Sequence, residues 1–465
     1  MATVTGVGVI RRLAGRVGRR RTLVMLDQAV SSLSNVVVAV IVARVVAPEQ
    51  FGAFSVAVIA YAIALGAVRA LVGEPWLSTH SSTDPSEPAD PADSTNPTDP
   101  AGAADPSGPG APAAAPGPAT GTADLVHAAV AASLAAGVVV MVFALTTGGA
   151  LWRPLVALTL FFPALAVQDS LRHVAVVDRP EVALASDVAW LAAVIPLLVA
   201  VPGDAEPAWF IAAWGAGGLA GLVVAVHGLR VRVSGGSAGR WFSSHREMAG
   251  AFFGEFVTAR AVGQAVLLAL GGIAGLGALG AIRAAQVFYG PLNMLFAGAY
   301  LALVPDGARR RHEPQQLVRL MATATGLLAG AALVWTVVGL ALPDAWGVEL
   351  FGDTWHEADD VMVPMGLAVT AGTLSTGAFA GIRSLGAARV SLRVRLWSMP
   401  PQAGLALAGA AAGAALGYAL GLTAGYLVVA VLWWSAFAST LREPGGGAEP
   451  TLQPATGPGA TVGLG

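Results

Sequence analysis

The stretch LVMLDQAVSSLSNVVVAVIVARVVAPEQFGAFSVAVIAYAIALGAVRALV, residues 23–72, decides the fold. It reads as two apolar runs, 23–47 and 51–72, parted by the polar turn Pro48-Glu49-Gln50. An apolar run of about 20 residues crosses the ~30 Å hydrocarbon layer as a helix. The same pattern recurs along the chain. Further spans are expected at 124–149, 153–176, 182–201, 207–229, 248–273, 277–304, 316–342, 359–382, 396–416 and 418–440. The last two lack a charged loop between them. The 45 residues from Leu396 to Thr440 carry no charge and exceed one bilayer crossing about twofold, so this run must double back. The fold class is therefore an all-α polytopic membrane protein, with twelve helices in two six-helix bundles around a central cavity.

Composition agrees. Of 465 residues, 55% are hydrophobic and 12% charged, where soluble domains carry about 25% charged residues. All 26 Lys+Arg positions are arginine, and cysteine is absent, which excludes disulfides and thiolate chemistry. The net charge of −2 gives no reason to expect nucleic acid as a partner. Arginines fall in every second gap between spans. Twenty-two gather on one side, and only Arg44 and Arg153 reach the other. Basic loops stay cytoplasmic, so both termini are expected there, in a bacterial plasma membrane. The first apolar run is too long for a signal-peptide core and is expected to be a span.

These readings divide the chain into a basic amino-terminal segment (1–22), a first bundle (23–229), a cytoplasmic linker (230–247), a second bundle (248–442) and a disordered tail (443–465). Residues 80–122 hold ten prolines and six acids with no Lys or Arg. Such a segment cannot bury enough apolar surface to offset its ordering entropy, so a disordered cytoplasmic loop is expected.

Residues from Ser31 and from Ala259 resemble each other. Asn35 aligns with Gln264, and Phe51-Gly52 with Leu279-Gly280. Six helices separate the copies, which makes the repeat parallel. The hairpin DQAVSSLSNVVVAVIVARVVAPEQFGAFSVA also resembles the opening of bacterial polysaccharide-biosynthesis proteins of the multidrug/oligosaccharidyl-lipid/polysaccharide flippase superfamily. Ala43, Arg44, Pro48, Glu49, Phe51 and Gly52 fill the family's characteristic turn, and Gly277–Arg309 resembles its eighth helix. The long insertion at 80–122 departs from the family's short loop. The resemblance implies that helices 1, 2, 7 and 8 line a central cavity.

Charged side chains cost at least ~2.5–3.5 kcal/mol at mid-bilayer, so those inside spans are candidate site residues. Asp27, Gln28, Ser31, Ser32, Ser34 and Asn35 share an arc of about 160° on helix 1. Arg283, Gln286, Gly290 and Asn293 form one stripe on helix 8, and Arg260 and Gln264 lie one turn apart on helix 7. Helix 4 carries Gln168, Asp169 and Arg172. Arg260 and Arg283, with Arg44 and Arg69, are candidates to neutralise substrate phosphates, because guanidinium forks onto phosphate oxygens and stays charged. The alternative is internal pairing, such as Glu255 with Arg260 or Asp169 with Arg172. Arg44 and Arg69 lie near an interface and can snorkel, and Asp27 can equally serve a helix start. Pro291 beside Gly290 is a candidate hinge. Glycines at 409, 413, 417, 421 and 425 suit close helix packing.

Other motifs carry no chemistry. Gly275, Gly277 and Gly280 spell a dinucleotide fingerprint without its strand. Gly235, Ser237 and Gly239 spell a nucleophile elbow in a Gly/Ser loop. His356, Glu357, Asp359 and Asp360 read as a solvated acidic face, so no metal, cofactor or enzymatic activity is expected. The expected function is a flippase or exporter of a lipid-linked glycan precursor, working by alternating access. Its partners would be that substrate, the bilayer, and glycosyltransferases or a polymerase of the same pathway. A cation-coupled multidrug exporter and a non-transporting scaffold for glycan enzymes are the competing readings. In this cysteine-free chain, cysteines introduced at Ser237 and Asp353 are expected to label from the cytoplasm and the exterior respectively. Labelling from one face would break the topology.

Overall fold

A computed structural model describes residues 4–80 and 118–442, with side chains for 22–80 and 121–442 except at 259, 293, 294, 297 and 301. The expected loop lies outside the described residues except at its ends, where His80 and residues 118–122 are helical. The tail at 443–465 also lies outside them.

Among the described residues the regular structure is helical throughout: α1 (Val4–Val45), α2 (Pro48–Val68), α3 (Glu74–His80), α4 (Pro118–Thr147), α5 (Gly149–Asp178), α6 (Pro180–Val199), α7 (Pro207–Leu229), α8 (Ala238–Phe256), α9 (Val262–Ala274), α10 (Leu276–Phe288), α11 (Gly290–Arg309), α12 (Pro314–Leu340), α13 (Asp344–Phe351), α14 (Thr354–Thr373), α15 (Thr376–Ser384) and α16 (Ala388–Arg442). Single π turns, Arg69–Gly73 and Val257–Ala261, join α2 to α3 and α8 to α9. Nine of the described helices are long and apolar enough to cross a membrane. Large apolar side chains such as Leu160, Leu327 and Trp397 stand exposed on them, as a lipid-facing surface requires. This is an all-α, multi-pass membrane protein.

Several boundaries differ from expectation. Helix 2 continues through its π turn to His80, and half of the expected linker, from Ala238, is helical. That segment is tied down. Asp124 accepts from the Ser237 amide (2.6 Å) and from Arg240 (2.8 Å). The hydrogen bond from Arg240 to Asp124 raises the guanidinium above its ordinary pKa. The compact units also divide elsewhere. One comprises residues 1–284 with 345–356, the other 285–344 with 357–465. The first unit therefore runs past the linker.

Its extension is explained by a reciprocal crossing. A Cβ on Gly52 would sit 2.0 Å from the Leu276 carbonyl oxygen, and one on Gly280 would sit 2.7 Å from that of Pro48. Each glycine thus packs on the backbone four residues before its counterpart, at the two positions the repeat aligns. The segment 345–356 docks on the same unit. Arg44 meets Glu349 at 2.5 Å, and Gly352, at φ +56°, lies against the Arg44 carbonyl. Arg153 likewise pairs with Glu206. Both arginines on the sparse side are therefore neutralised.

In the second unit the chain breaks between α10 and α11. Pro291 lacks the amide that would continue the helix, and Trp335 donates to the Phe288 carbonyl released there (3.0 Å). The uncharged run at the carboxyl end doubles back at Gly413–Ala414, where both residues leave helical geometry. The turn was expected near 417. Gly417 instead sits in the returning arm, where a Cβ would lie 2.0 Å from the Gly409 carbonyl oxygen. Gly417→Leu is expected to force the arms apart and destabilise the protein by about 1–3 kcal/mol, read as a lower Tm in detergent. Gly404→Leu, where a Cβ meets nothing within 4 Å, should leave the Tm unchanged.

Candidate functional site

The charged groups of the first unit converge on α5. Gln168, Asp169, Arg172 and His173 occupy adjacent positions on one stretch of that helix, so residues three and four apart share a face. Arg69, at the start of the first π turn, forks onto Asp169. Its Nε reaches Oδ2 at 2.8 Å and its Nη2 reaches Oδ1 at 2.5 Å. Arg172 pairs in two directions. Its Nη2 lies 2.6 Å from Asp27 Oδ2 on α1, and its Nε 3.1 Å from Asp187 Oδ2 on α6. The Asp27 and Asp187 side chains are 2% and 3% exposed, and Arg172 only 11%. One guanidinium, largely withdrawn from the surface, therefore holds three helices together.

A second layer orients these groups. Gln168 donates to Ser186 Oγ at 3.0 Å and to Asp187 Oδ1 at 3.4 Å, and Ser186 donates to the Gly221 carbonyl at 2.9 Å. Glycine at 221 permits that approach, since a Cβ there would stand 3.0 Å from the Ser186 carbonyl oxygen. His173 Nδ1 lies 2.8 Å from the Asp169 carbonyl and 3.7 Å from its carboxylate. The contact between Arg172 Nε and Asp187 Oδ2 is ionic without hydrogen-bond geometry, so this buried oxygen receives no donated hydrogen. Three carboxylates thus face two guanidiniums and one imidazole. The arrangement can take up a proton at that oxygen.

The structure brings together five of the residues singled out from sequence, Asp27, Arg69, Gln168, Asp169 and Arg172. The four charged ones are engaged in ion pairs. The intrahelical pairing of Asp169 with Arg172 is corrected: each takes its partner from another helix, Arg69 and Asp27 with Asp187. Asp187 was missed, although it is the one acid in the interior of α6 and an acid in an apolar span is itself a signal.

The remaining candidates lie elsewhere. Asn35 is exposed and donates to the Ser31 carbonyl at 3.2 Å. Arg44 is half-exposed against Glu349. Arg260 is exposed on the second π turn, and its charge and that of Glu255 both reach Glu74. Gln264 on α9, and Arg283 with Gln286 on α10, are half-buried. Gly290 and Pro291 are the first two residues of α11, directly after the break at Tyr289. The Asn293 side chain lies outside the described residues.

Solved structures share this architecture. An inward-facing multidrug resistance MATE family transporter of the MOP superfamily aligns at TM-score 0.57 and 12% identity, over 90% of this chain and 98% of that one. The lipid II flippase MurJ, in an inward closed conformation, aligns at TM-score 0.60 and 9% identity, over 91% and 88%. The chain shares the fold of these two structures. No protein-family model matches it, and no curated protein matches it significantly.

Removing one member of a buried pair strands the other charge, which costs about 3–5 kcal/mol. Asp169→Ala is expected to destabilise the protein by that amount in thermal unfolding. The double change Arg69→Met with Asp169→Leu should recover most of it. Equal losses in the single and double variants would show that the pair is not coupled.

Proposed function

We propose that this protein is a bacterial plasma-membrane transporter that moves a lipid-linked oligosaccharide or polysaccharide precursor across the bilayer by alternating access, for cell-surface glycan assembly. Both termini are cytoplasmic in this reading, and the protein is not an enzyme. The fold supports transport, since both aligned structures are transporters. The sign of the cargo rests on one observation: Asp27, Asp169 and Asp187 are all engaged by Arg69 and Arg172. Carboxylates already facing guanidinium are poor receptors for a cationic drug. Arg260, Arg283, Gln264 and Asn35, all of the first unit, are then the groups we assign to the anionic, hydroxyl-rich headgroup. Arg44, Arg69 and Asp27 act through the ion pairs that hold their helices. The break at Gly290-Pro291 is the hinge.

A second reading, a cation-coupled multidrug exporter, is favoured by the Asp187 oxygen that receives no hydrogen bond. Protonation there would couple a proton gradient to transport. The scaffold reading depends on the loop, and deleting residues 81–117 separates it, because a transporter should keep its function.

Arg283→Ala tests the cargo. A charge-assisted hydrogen bond is worth about 1.5–3 kcal/mol, so surface glycan output should fall by about tenfold or more while the protein remains in the membrane. Unchanged glycan output would remove Arg283 from the site. A gain in drug sensitivity with normal glycan would replace the proposal with the exporter reading.

A further inference from the structure

The second unit carries a charge cluster that the transport reading does not use. Arg309, Arg310 and Arg311 close α11, Arg319 lies in the second turn of α12, Arg383 closes α15, Arg389, Arg393 and Arg395 open α16, and Arg442 ends it. These nine arginines share one end of the unit because their helices meet there in one apolar core. Leu303, Leu317, Met321, Ile382 and Phe437 form that core, with Phe379 packed against it. A Cβ on Gly307 would touch both Met321 and Ser384, which sets the ends of α11, α12 and α15 at one level. Against nine guanidiniums, the described residues of these helix ends offer two carboxylates, Asp306 and Glu313, and Asp306 already pairs with Arg309 at 3.1 Å.

Two features turn this charge into a shaped surface. First, Arg383 and Arg395 both lie over the Phe379 ring, at 5.6 and 5.3 Å from its centroid. Phe379 is itself held by Tyr300, stacked at 5.2 Å, and by Trp433, edge-on at 5.0 Å. Cation–π attraction holds both guanidiniums at the same ring. Second, a shallow, open groove at the start of α12 is lined by Pro314, Gln315, Val318 and Arg319. Beyond it, the same side of α12 presents Ala322, Gly326 and Gly330. A Cβ on either glycine would meet nothing within 4 Å. A furrow of small residues thus leads from a cationic rim along a membrane-crossing helix.

We infer that this end of the second unit is a binding site for an anionic glycerophospholipid, its phosphate held by Arg383, Arg395 and Arg319 and one acyl chain lying along α12. Charge selects the headgroup, and the groove and furrow select an acyl chain over a free anion. The assignment is independent of the transported cargo.

Native mass spectrometry of the full-length protein, titrated with phosphatidylglycerol, cardiolipin and phosphatidylcholine, tests it. The two anionic lipids should be retained in preference to phosphatidylcholine. Each arginine near a membrane surface adds roughly 1 kcal/mol, or about fivefold in affinity. R319Q should therefore weaken binding about fivefold, and R383Q with R395Q about 25-fold. R246Q, which removes an arginine from the first unit, should change nothing. R383K with R395K keeps the charge and should keep most of the binding. If the glutamine pair fails to fold, R319Q and the lysine pair decide. Equal retention of phosphatidylcholine, or an equal loss in R246Q, overturns the site. Displacement of bound lipid by millimolar inorganic phosphate would show a phosphate site without an acyl contribution and overturn it too.

Discussion

A charge buried among apolar helices must find a partner, and the first unit is organised around that requirement. Arg172 stands on α5 and takes Asp27 from α1 and Asp187 from α6, while Arg69 reaches from the end of α2 to Asp169. Four helices are thereby fixed in identity and register. Buried ion pairs contribute little net stability relative to well-packed apolar residues, because desolvation offsets the Coulomb attraction. Their effect lies in the penalty for any other arrangement. A helix rotated by one residue would turn its charge away from its partner.

Close contact supplies what the charges do not. Helices in lipid gain no hydrophobic energy by meeting each other, so association relies on backbone approach at small residues. Gly52 and Gly280 pack reciprocally, as do Gly409 and Gly417 across the carboxyl-terminal hairpin. Around α7 the same device serves the charge network. Gly217 lies against Val194 and Gly218 against Leu165, which brings the Gly221 carbonyl within reach of Ser186. Packing and polar satisfaction are therefore coupled: a side chain at these glycines would separate the helices that the hydrogen bonds require to be close.

The parts legible in sequence are those governed by local physics. Apolar length reveals spans, Pro291 reveals the break before α11, and the uncharged stretch from Leu396 reveals a hairpin. The position of its turn was missed because glycines four apart occur on both arms, and nothing local distinguishes a turn glycine from a packing one. The alternative pairing of Asp169 with Arg172 follows the same local logic, as both lie on one face. It was overridden by partners 100 and 145 residues away. Partner choice is a property of helix arrangement, which spacing along one helix does not encode. Asp187 was legible in principle, as a lone acid within an apolar span.

Arginine is the only strong base in this chain, and its environment sorts it into distinct roles. Where a guanidinium has carboxylates from two other helices, as Arg172 does, its charge is spent on holding helices and is not available to a ligand. Where it lies at an exposed end opposite an acid, as Arg44 and Arg153 do, it is neutralised on the side from which positive charge is otherwise withheld. Where guanidiniums gather at one ring, as Arg383 and Arg395 do at Phe379, the aromatic face attracts both charges. The three buried acids around Arg172 and Arg69 are answered from within the first unit, whereas at the ends of α11, α12, α15 and α16 the described bases outnumber the described acids.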